Sequence, residues 1–330
     1  MRTFTFKGLL LTAVFMLLGC LSIQAANDDL ITKQITIKLD KAGTLPNKIA
    51  SSEMYKITNL KIIGEINGTD WNMIREMAGR NYQESSTEGN LSVLDLSEAK
   101  IVAGGDYYYY DNLFNNKVYT SNDEIGEYAF AYCSGLTSLT LPVGITSIGE
   151  FAFSGCSGLT SLTLPAGITS IGEYAFSGCS GLTSLNLPAG ITSIDKYAFS
   201  GCSRLTSLTL PAGITSIGEF AFSYCSGLTS IYEYAEKVPR IGRYAFEGCA
   251  SRKCTLYVPK GTYDNYRLSE FGYFENIVEF DATGIDKTTT STDVEEVSRY
   301  SLNGQRLVGP TKGLNIVKYS DGSVKKVAVE

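Results

Sequence analysis

The chain has 330 residues, a formal net charge of −6 and no histidine. Without histidine, Ser-His-Asp and Cys-His catalysis and histidine-ligated zinc sites are excluded. The mild acidity comes with no cluster of Lys and Arg, which argues against nucleic-acid binding. A hydrophobic fraction of 44% with 33 Gly and 21 Tyr is typical of an ordered, turn-rich β protein. We therefore expect neither an enzyme nor a cofactor.

Residues 1–25 are interpreted as an export signal peptide. A basic start is followed by an apolar stretch, residues 8–18, which is too short to span a bilayer. Ordinary cleavage after Ala25 or Ala26 is the preferred interpretation, because small residues follow the apolar stretch at the normal distance. The alternative is "LLGC", which resembles a lipobox and would leave a lipid anchor on Cys20 as the only attachment to a membrane.

Residues 26–90 are expected to form an N-terminal cap with the first rung of a repeat. "KQITIKLD" predicts a strand and "TDWNMIREMAGR" a short helix, with Thr69 or Asp70 as its N-cap and Gly79 at its end. Trp71 lies on the apolar face of this helix, so we interpret it as part of the cap core and not as a binding residue.

Self-similarity dominates residues 91–259. The regular part, residues 125–240, repeats every 23 residues, as in "IGEYAFSGCSGLTSLNLPAGITS". The copies start at Ile125, Ile148, Ile171, Ile194, Ile217 and Ile241. The L-x-x-L-x-L spacing also occurs upstream, in "ITNLKI" and "LSVLDL", and "CTLYVP" resembles it downstream. We count about eight rungs, which would stack to roughly 40 Å at the spacing of neighbouring strands, about 4.8 Å.

Each repeat can be divided into three sides. The leucines of "LTSLTLP" alternate with polar residues, which predicts a short strand that proline ends. "ITSI" predicts a second short strand, and "EYAFSGC" predicts a helical turn with Ala, Phe and Cys facing inward. A single repeat cannot bury its apolar face alone, so we expect the stacked repeats to share one continuous core.

The motif I-G-x-x-A-F-x-x-C-x-x-L-x-x-L-x-L-P is nearly intact from Ile125 to Ile231. Residues 30–280 thereby resemble the BspA-like leucine-rich repeat family of bacterial surface proteins. The resemblance implies a repeat β-solenoid displayed outside the cell, right-handed, with capped ends. It also implies interaction with host or matrix proteins, as some members of the family show.

The end of the chain divides into three parts. Residues 260–280 are expected to cap the solenoid with a Thr262-capped helix and a final strand, and residues 281–293 are interpreted as a linker. Residues 294–330 place Asn303-Gly304 and Asp321-Gly322 between strands, which predicts two hairpins in a small β module. This module resembles a type IX secretion sorting domain, which implies the outer surface of a Gram-negative cell. The alternative is a purely structural tail.

Six cysteines recur at one place in successive repeats: Cys133, Cys156, Cys179, Cys202, Cys225 and Cys249. Stacking would place them in a line, whereas a zinc site needs four ligands around one point. We expect them to be buried free thiols that act as small hydrophobic side chains. A disulfide between Cys249 and Cys254 is the one pairing left open, since the repeat breaks there.

Two sets of aromatic residues are candidate partner-binding sites. One is a column in the repeats, namely Tyr128, Phe151, Tyr174, Tyr197 and Phe220, followed by Tyr244. Its rings could stack on one another or form a contact ridge at the surface. The other is Tyr107, Tyr108, Tyr109 and Tyr110. They lie in the one long break in the repeat, which we expect to be a loop that either binds or packs.

Two polar rows complete the repeats. Glu127, Glu150, Glu173, Lys196, Glu219 and Arg243 are interpreted as solvated surface. The Ser, Thr and Asn residues of the "LTSLTL" strands predict a flat, neutral face, poorly suited to small-molecule recognition. Together these features favour a non-catalytic interaction surface of adhesion type for an extracellular protein or glycan. The alternatives are a structural spacer without a ligand and an accessory glycan-binding component.

Overall fold

The computed structural model describes residues 29–113, 115–282, 296–301, 306–307, 313–319 and 324–329. The predicted signal peptide, Cys20 and most of the predicted linker lie outside these ranges. Within them, no helix has the length and the apolar character needed to cross a membrane.

The repeats form a β-solenoid whose main sheet has ten parallel strands, hydrogen-bonded in chain order. These strands are Ile35–Lys38, Asn59–Ile66, Val93–Ile101, Ser138–Thr140, Ser161–Thr163, Ser184–Asn186, Ser207–Leu210, Ser230–Glu233, Thr255–Pro259 and Asn276–Phe280. Eight of them are the predicted rungs, and the first and last are the predicted cap strands. Leucines pair with leucines between rungs, as Leu185 does with Leu208, so they form continuous buried columns.

The second side of the solenoid consists of two-residue strands: Glu124–Ile125, Ser147–Ile148, Ser170–Ile171, Ser193–Ile194, Ser216–Ile217 and Arg240–Ile241. They form two three-stranded sheets, because the pairing is interrupted between Ile171 and Ile194. The residue after Ile194 is Asp195, where the neighbouring repeats have glycine. A Cβ built on Gly172 would lie only 2.8 Å from the backbone nitrogen of Glu150. A side chain at this place therefore requires adjacent rungs to separate.

The third side is a series of turns and not the predicted helical turn. Alternate amides donate to the next rung: Tyr174 N to Lys196 O at 3.0 Å and Phe176 N to Ala198 O at 2.7 Å. These bonds between rungs use amides that a helix would satisfy within itself. The phenylalanines of this side form a stacked, buried column, with Phe153 and Phe176 ring centres 4.9 Å apart.

The N-terminal cap contains a 3₁₀ helix, Leu45–Asn47, and an α-helix, Gly68–Met77. Its N-cap is Asn67 and not Thr69 or Asp70. The Asn67 side chain accepts from Thr69 N, and the Asp70 carboxylate accepts from Asn67 N, which completes a capping box. Trp71 is buried in the cap core as predicted and donates to Ala129 O at 2.9 Å.

The long break in the repeat is a β-hairpin and not a loop. Its strands, Gly104–Asp111 and Asn116–Thr120, are antiparallel. The first strand packs against the cap helix, and Asn72 Nδ2 donates to Tyr107 O at 2.8 Å. The hairpin is therefore a fixed extension of the N-terminal cap.

The C-terminal cap is a short helix, Tyr263–Arg267, a 3₁₀ helix, Glu270–Tyr273, and the last strand of the main sheet. Beyond it, four strands form an antiparallel sheet: Glu296–Ser301, Arg306–Leu307, Gly313–Tyr319 and Val324–Val329. The first two and the last two pair as the predicted hairpins require. The four turn residues lie outside the described residues.

Candidate interaction surfaces

The predicted aromatic column is a stack of rings that we call the aromatic ladder. Consecutive ring centres lie 4.1 to 4.9 Å apart with interplanar angles of 4 to 6°. Its members are Tyr109, Tyr128, Phe151, Tyr174, Tyr197 and Phe220. Tyr244 follows, tilted by 35°. Tyr109 belongs to the hairpin, so the hairpin extends the ladder by one ring.

The backbone of the ladder is left-handed at every repeat. The φ angles of Tyr128, Phe151, Tyr174, Tyr197, Phe220 and Tyr244 lie between 52 and 59°. Aromatic residues rarely adopt this conformation. From Tyr128 to Phe220 it directs each amide to the carbonyl of the next rung while the ring stacks on its neighbours, so two repeated interactions offset the strain.

The ladder rings from Tyr128 to Phe220 are half-buried. Both faces of each of these rings are covered by the adjacent rings, so only ring edges and hydroxyl groups reach the solvent. The mutual stacking that the sequence suggested is thus present. A binding role for these residues stays a prediction.

Tyr108 and Tyr109 do not face the solvent, which corrects their place in the predicted contact surface. Only 1% of Tyr108 is exposed, its ring contacts Trp71, and its hydroxyl donates to Glu127 O at 2.8 Å. The Tyr109 hydroxyl donates to Glu84 at 2.8 Å. Burial raises the pKa of both tyrosines. Both residues hold the hairpin in place.

Tyr107 and Tyr110 are partly exposed and belong to a group that we call the hairpin tyrosine cluster: Tyr82, Tyr107, Tyr110 and Tyr119. Tyr107 is central, with ring centres 5.4 Å from Tyr82 and 6.3 Å from Tyr119. Lys117 Nζ lies 4.8 Å from the centre of the Tyr107 ring, within cation–π range. The sequence predicted two of these four tyrosines. Tyr82 and Tyr119 lie outside the tyrosine run, and only the fold brings them to it.

The charged row is at the surface, as predicted. Lys196 Nζ lies 3.6 Å from Glu219. Partial burial and the neighbouring Glu127 and Glu173 raise the pKa of Glu150. Among the described residues, no group of three or more Cys, Asp or Glu side chains is arranged to hold a metal ion.

The cysteine column, which includes Cys249, is buried, and its thiols are free. The thiol of Cys254 is free as well, so Cys249 and Cys254 do not form the disulfide that the sequence left open. Each thiol from Cys156 onward in the column donates to a phenylalanine carbonyl, as Cys179 Sγ does to Phe153 O at 3.1 Å. Burial raises the pKa of the Cys179 thiol well above its ordinary value. These side chains are packing residues of the core.

The polar face of the main sheet is concave where the C-terminal sheet meets it. The threonine just before each strand donates a hydrogen bond to the preceding rung, as Thr183 Oγ1 does to Thr160 O at 3.2 Å. These hydroxyl groups therefore hold neighbouring rungs together. A cavity of about 340 Å³ lies where this face meets Tyr300, Ile316 and Lys318 of the C-terminal sheet. Nothing in the sequence predicts this concavity, since it requires the C-terminal sheet to cover the repeats.

Residues 123–253 match the sequence profile described as the BspA type leucine rich repeat region, in six copies. This segment is a BspA-type leucine-rich repeat region. The six copies agree with the six repeat starts from Ile125 to Ile241. No curated protein matches the chain.

Several solved structures are similar to this chain. A leucine-rich repeat protein of T. pallidum is 33% identical over 34% of this chain and 52% of its own, with a TM-score of 0.33. A leucine-rich cell surface protein of Faecalibacterium prausnitzii is 23% identical over 68% and 51%, with a TM-score of 0.32. A pneumococcal vaccine antigen is 15% identical over 68% and 69%, with a TM-score of 0.38. The chain thus covers about half the length of the first two.

Proposed function

We propose that this chain is a non-catalytic, adhesion-type binding protein outside the cell, and that the hairpin tyrosine cluster docks an extracellular protein. The BspA-type repeats and the export signal interpreted at residues 1–25 support the location. The cluster itself is the observation that carries the docking role.

The composition of the cluster suits a protein interface. Tyrosines supply large contact areas with few rotatable bonds, and they are enriched at the energetic centres of interfaces. Tyr119 is 48% exposed, and Leu113 near the tip of the hairpin is 89% exposed. An apolar side chain as exposed as Leu113, on the same hairpin as Tyr107, Tyr110 and Tyr119, adds contact area that a partner could cover.

The hairpin is also pre-organised. The Tyr108 hydroxyl fixes it to the first regular repeat, and the Thr69 hydroxyl lies 2.9 Å from the Asp106 carboxylate on the cap helix side. A surface that is already ordered loses little conformational entropy on binding, so more of its contact energy appears as affinity.

Placement at the outer surface of a Gram-negative cell is a further part of the proposal. The antiparallel C-terminal sheet supports a sorting role for residues 294–330, and Cys20 supports the alternative of a lipid anchor. Mass spectrometry of the mature N-terminus tests them, because lipidation requires the mature chain to begin at Cys20, whereas ordinary cleavage leaves Ala26 or Asn27 first.

A panel of immobilised extracellular-matrix proteins tests the binding role. The proposal expects the whole chain to bind at least one of them and the Tyr107→Ser/Tyr119→Ser variant to lose that binding. A chain that binds none of these proteins would favour the structural spacer instead.

A further inference from the structure

The concave end of the polar face has an aromatic wall. Tyr232 stands on the strand Ser230–Glu233 at the place that threonine occupies in other rungs, in register with Thr209 before it and Tyr257 after it. Its ring stacks on Tyr257 with centres 4.6 Å apart and planes 6° apart. Phe280 packs edge-on against Tyr232, with ring centres 6.3 Å apart. The ring is therefore held on one face and at its edge.

The other face of Tyr232 looks toward the preceding rung. There the residue in register is Thr209, whose side chain is too short to continue the stack. The stack of rings therefore ends at Tyr232. The space above Thr209, which is one rung or about 4.8 Å high, holds no ring among the described residues. This place opens into the cavity, which both residues line.

The remaining walls are almost neutral. Ser184, Asn186, Ser207 and Ser230 contribute hydroxyl and amide groups from three successive rungs, and Lys318 is the single charged residue among those that line the cavity. The hydroxyls of Ser207 and Ser230 are hydrogen-bonded at 3.1 Å, which orients them. Hydroxyl and amide side chains both donate and accept hydrogen bonds.

We propose that this cavity is a carbohydrate-binding site in which a neutral sugar ring stacks on the free face of Tyr232, above Thr209. The sugar takes the place of the missing ring in the stack, and its hydroxyl groups exchange hydrogen bonds with Asn186 and Ser207. A neutral sugar fits better than an anion, since the walls hold only one cation. It also fits better than a proline-rich peptide, because proline residues have no N–H and their carbonyls only accept hydrogen bonds, whereas these side chains offer both roles at adjacent positions.

The site is separate from the hairpin tyrosine cluster, so the two proposals can fail independently. The test is an array of neutral oligosaccharides probed with the whole chain, followed by calorimetry with the strongest ligand. Tyr232→Thr introduces the residue that the preceding rung has, Thr209, and should fold normally, as should Asn186→Thr, which copies Thr163 and Thr209. Each is expected to raise Kd at least tenfold, about 1.4 kcal/mol.

Two controls make the result decisive. Thr140→Asn places an asparagine on the same face outside the cavity, and Tyr107→Ser alters the hairpin, so neither should change the Kd for the sugar. The proposal is overturned if the array shows no ligand, or if both cavity variants keep the original Kd. It is also overturned if proline-rich peptides on a parallel array bind at Tyr232 and sugars do not.

Discussion

Gly172 lies directly against the backbone of Glu150, with room for a hydrogen atom but not for a Cβ, which would stand 2.8 Å from the Glu150 nitrogen. The same close approach recurs at Gly149, Gly218 and Gly242. Asp195 is the exception, and the second side of the solenoid is interrupted there.

Asp195→Gly should therefore stabilise the protein. It removes the Cβ that separates the rungs and allows the interrupted ladder to close, which we expect to raise the free energy of unfolding by about 1 kcal/mol. Urea denaturation measures the change. Asp195→Asn is the matched control, because it removes the charge and keeps the Cβ. A stabilisation as large in Asp195→Asn would show that charge, and not close packing, limits this rung.

The ladder can be tested with two tyrosines in the same left-handed conformation. Tyr174 has a ring stacked on each side, at 4.7 and 4.5 Å. Tyr224, with φ of 57°, is 59% exposed and stands where four repeats have glycine. Glycine relieves the strain at both places, but at Tyr174 it also removes two stacked contacts.

Tyr174→Gly is thus expected to lower the free energy of unfolding by about 2 kcal/mol, at about 1 kcal/mol for each stacked pair. Tyr224→Gly should leave it unchanged within about 0.5 kcal/mol or raise it, since the relieved strain offsets the entropy of glycine. Equal losses in both variants would mean that stacking does not support the ladder.

Glu233 makes stability depend on pH. It occupies the place of a core leucine, in register with Leu210, and is fully buried. One carboxylate oxygen accepts from Ala235 N at 2.9 Å, and the other has no hydrogen-bond partner among the described residues. Burial raises its pKa to about 8, against about 4.3 in an unfolded chain.

Between these pH values the folded state holds a proton that the unfolded state has released. The contribution of Glu233 to the free energy of unfolding is therefore most favourable at low pH and falls as pH rises toward 8. Glu233→Leu should raise the melting temperature more at pH 8 than at pH 5, by the equivalent of about 3 kcal/mol. Glu233→Gln separates charge from packing, since it also removes the pH dependence but keeps a polar side chain. A gain that is equal at both pH values would contradict the raised pKa.

The buried thiols predict a specific pattern of reactivity. Cys133 to Cys254 in the repeats should react with a thiol-specific disulfide reagent only after urea unfolds the chain, because burial blocks access and raises their pKa. Cys179→Ala should lower the free energy of unfolding by about 1 kcal/mol, and Cys156→Ala should cost the same, as its repeat has the same geometry. Rapid reaction of these thiols in the folded protein would show that the column is accessible.

The sequence predicted the rungs because the 23-residue period places each leucine, phenylalanine and cysteine in an inward column. It did not predict the left-handed tyrosines, since aromatic residues disfavour that conformation and only the bonds between rungs select it. The sequence shows that Asp195 stands where the neighbouring repeats have glycine, but the consequence of this difference depends on the distance between rungs. Tyr232 is likewise visible as a departure from threonine. Its cavity needs Tyr300 and Lys318, which are far away in the chain.

The most direct test of the proposed docking role compares a double exchange of tyrosines in the hairpin with a single exchange of an exposed tyrosine elsewhere. The whole chain, its Tyr107→Ser/Tyr119→Ser variant and its Tyr263→Ser variant are measured by surface plasmon resonance against the matrix protein that binds best. Tyr263 lies on the C-terminal cap helix and is 42% exposed, so it controls for the loss of a surface tyrosine. We predict that the hairpin variant raises Kd at least tenfold at an unchanged melting temperature, while Tyr263→Ser changes neither. Equal affinities for all three proteins would contradict the account.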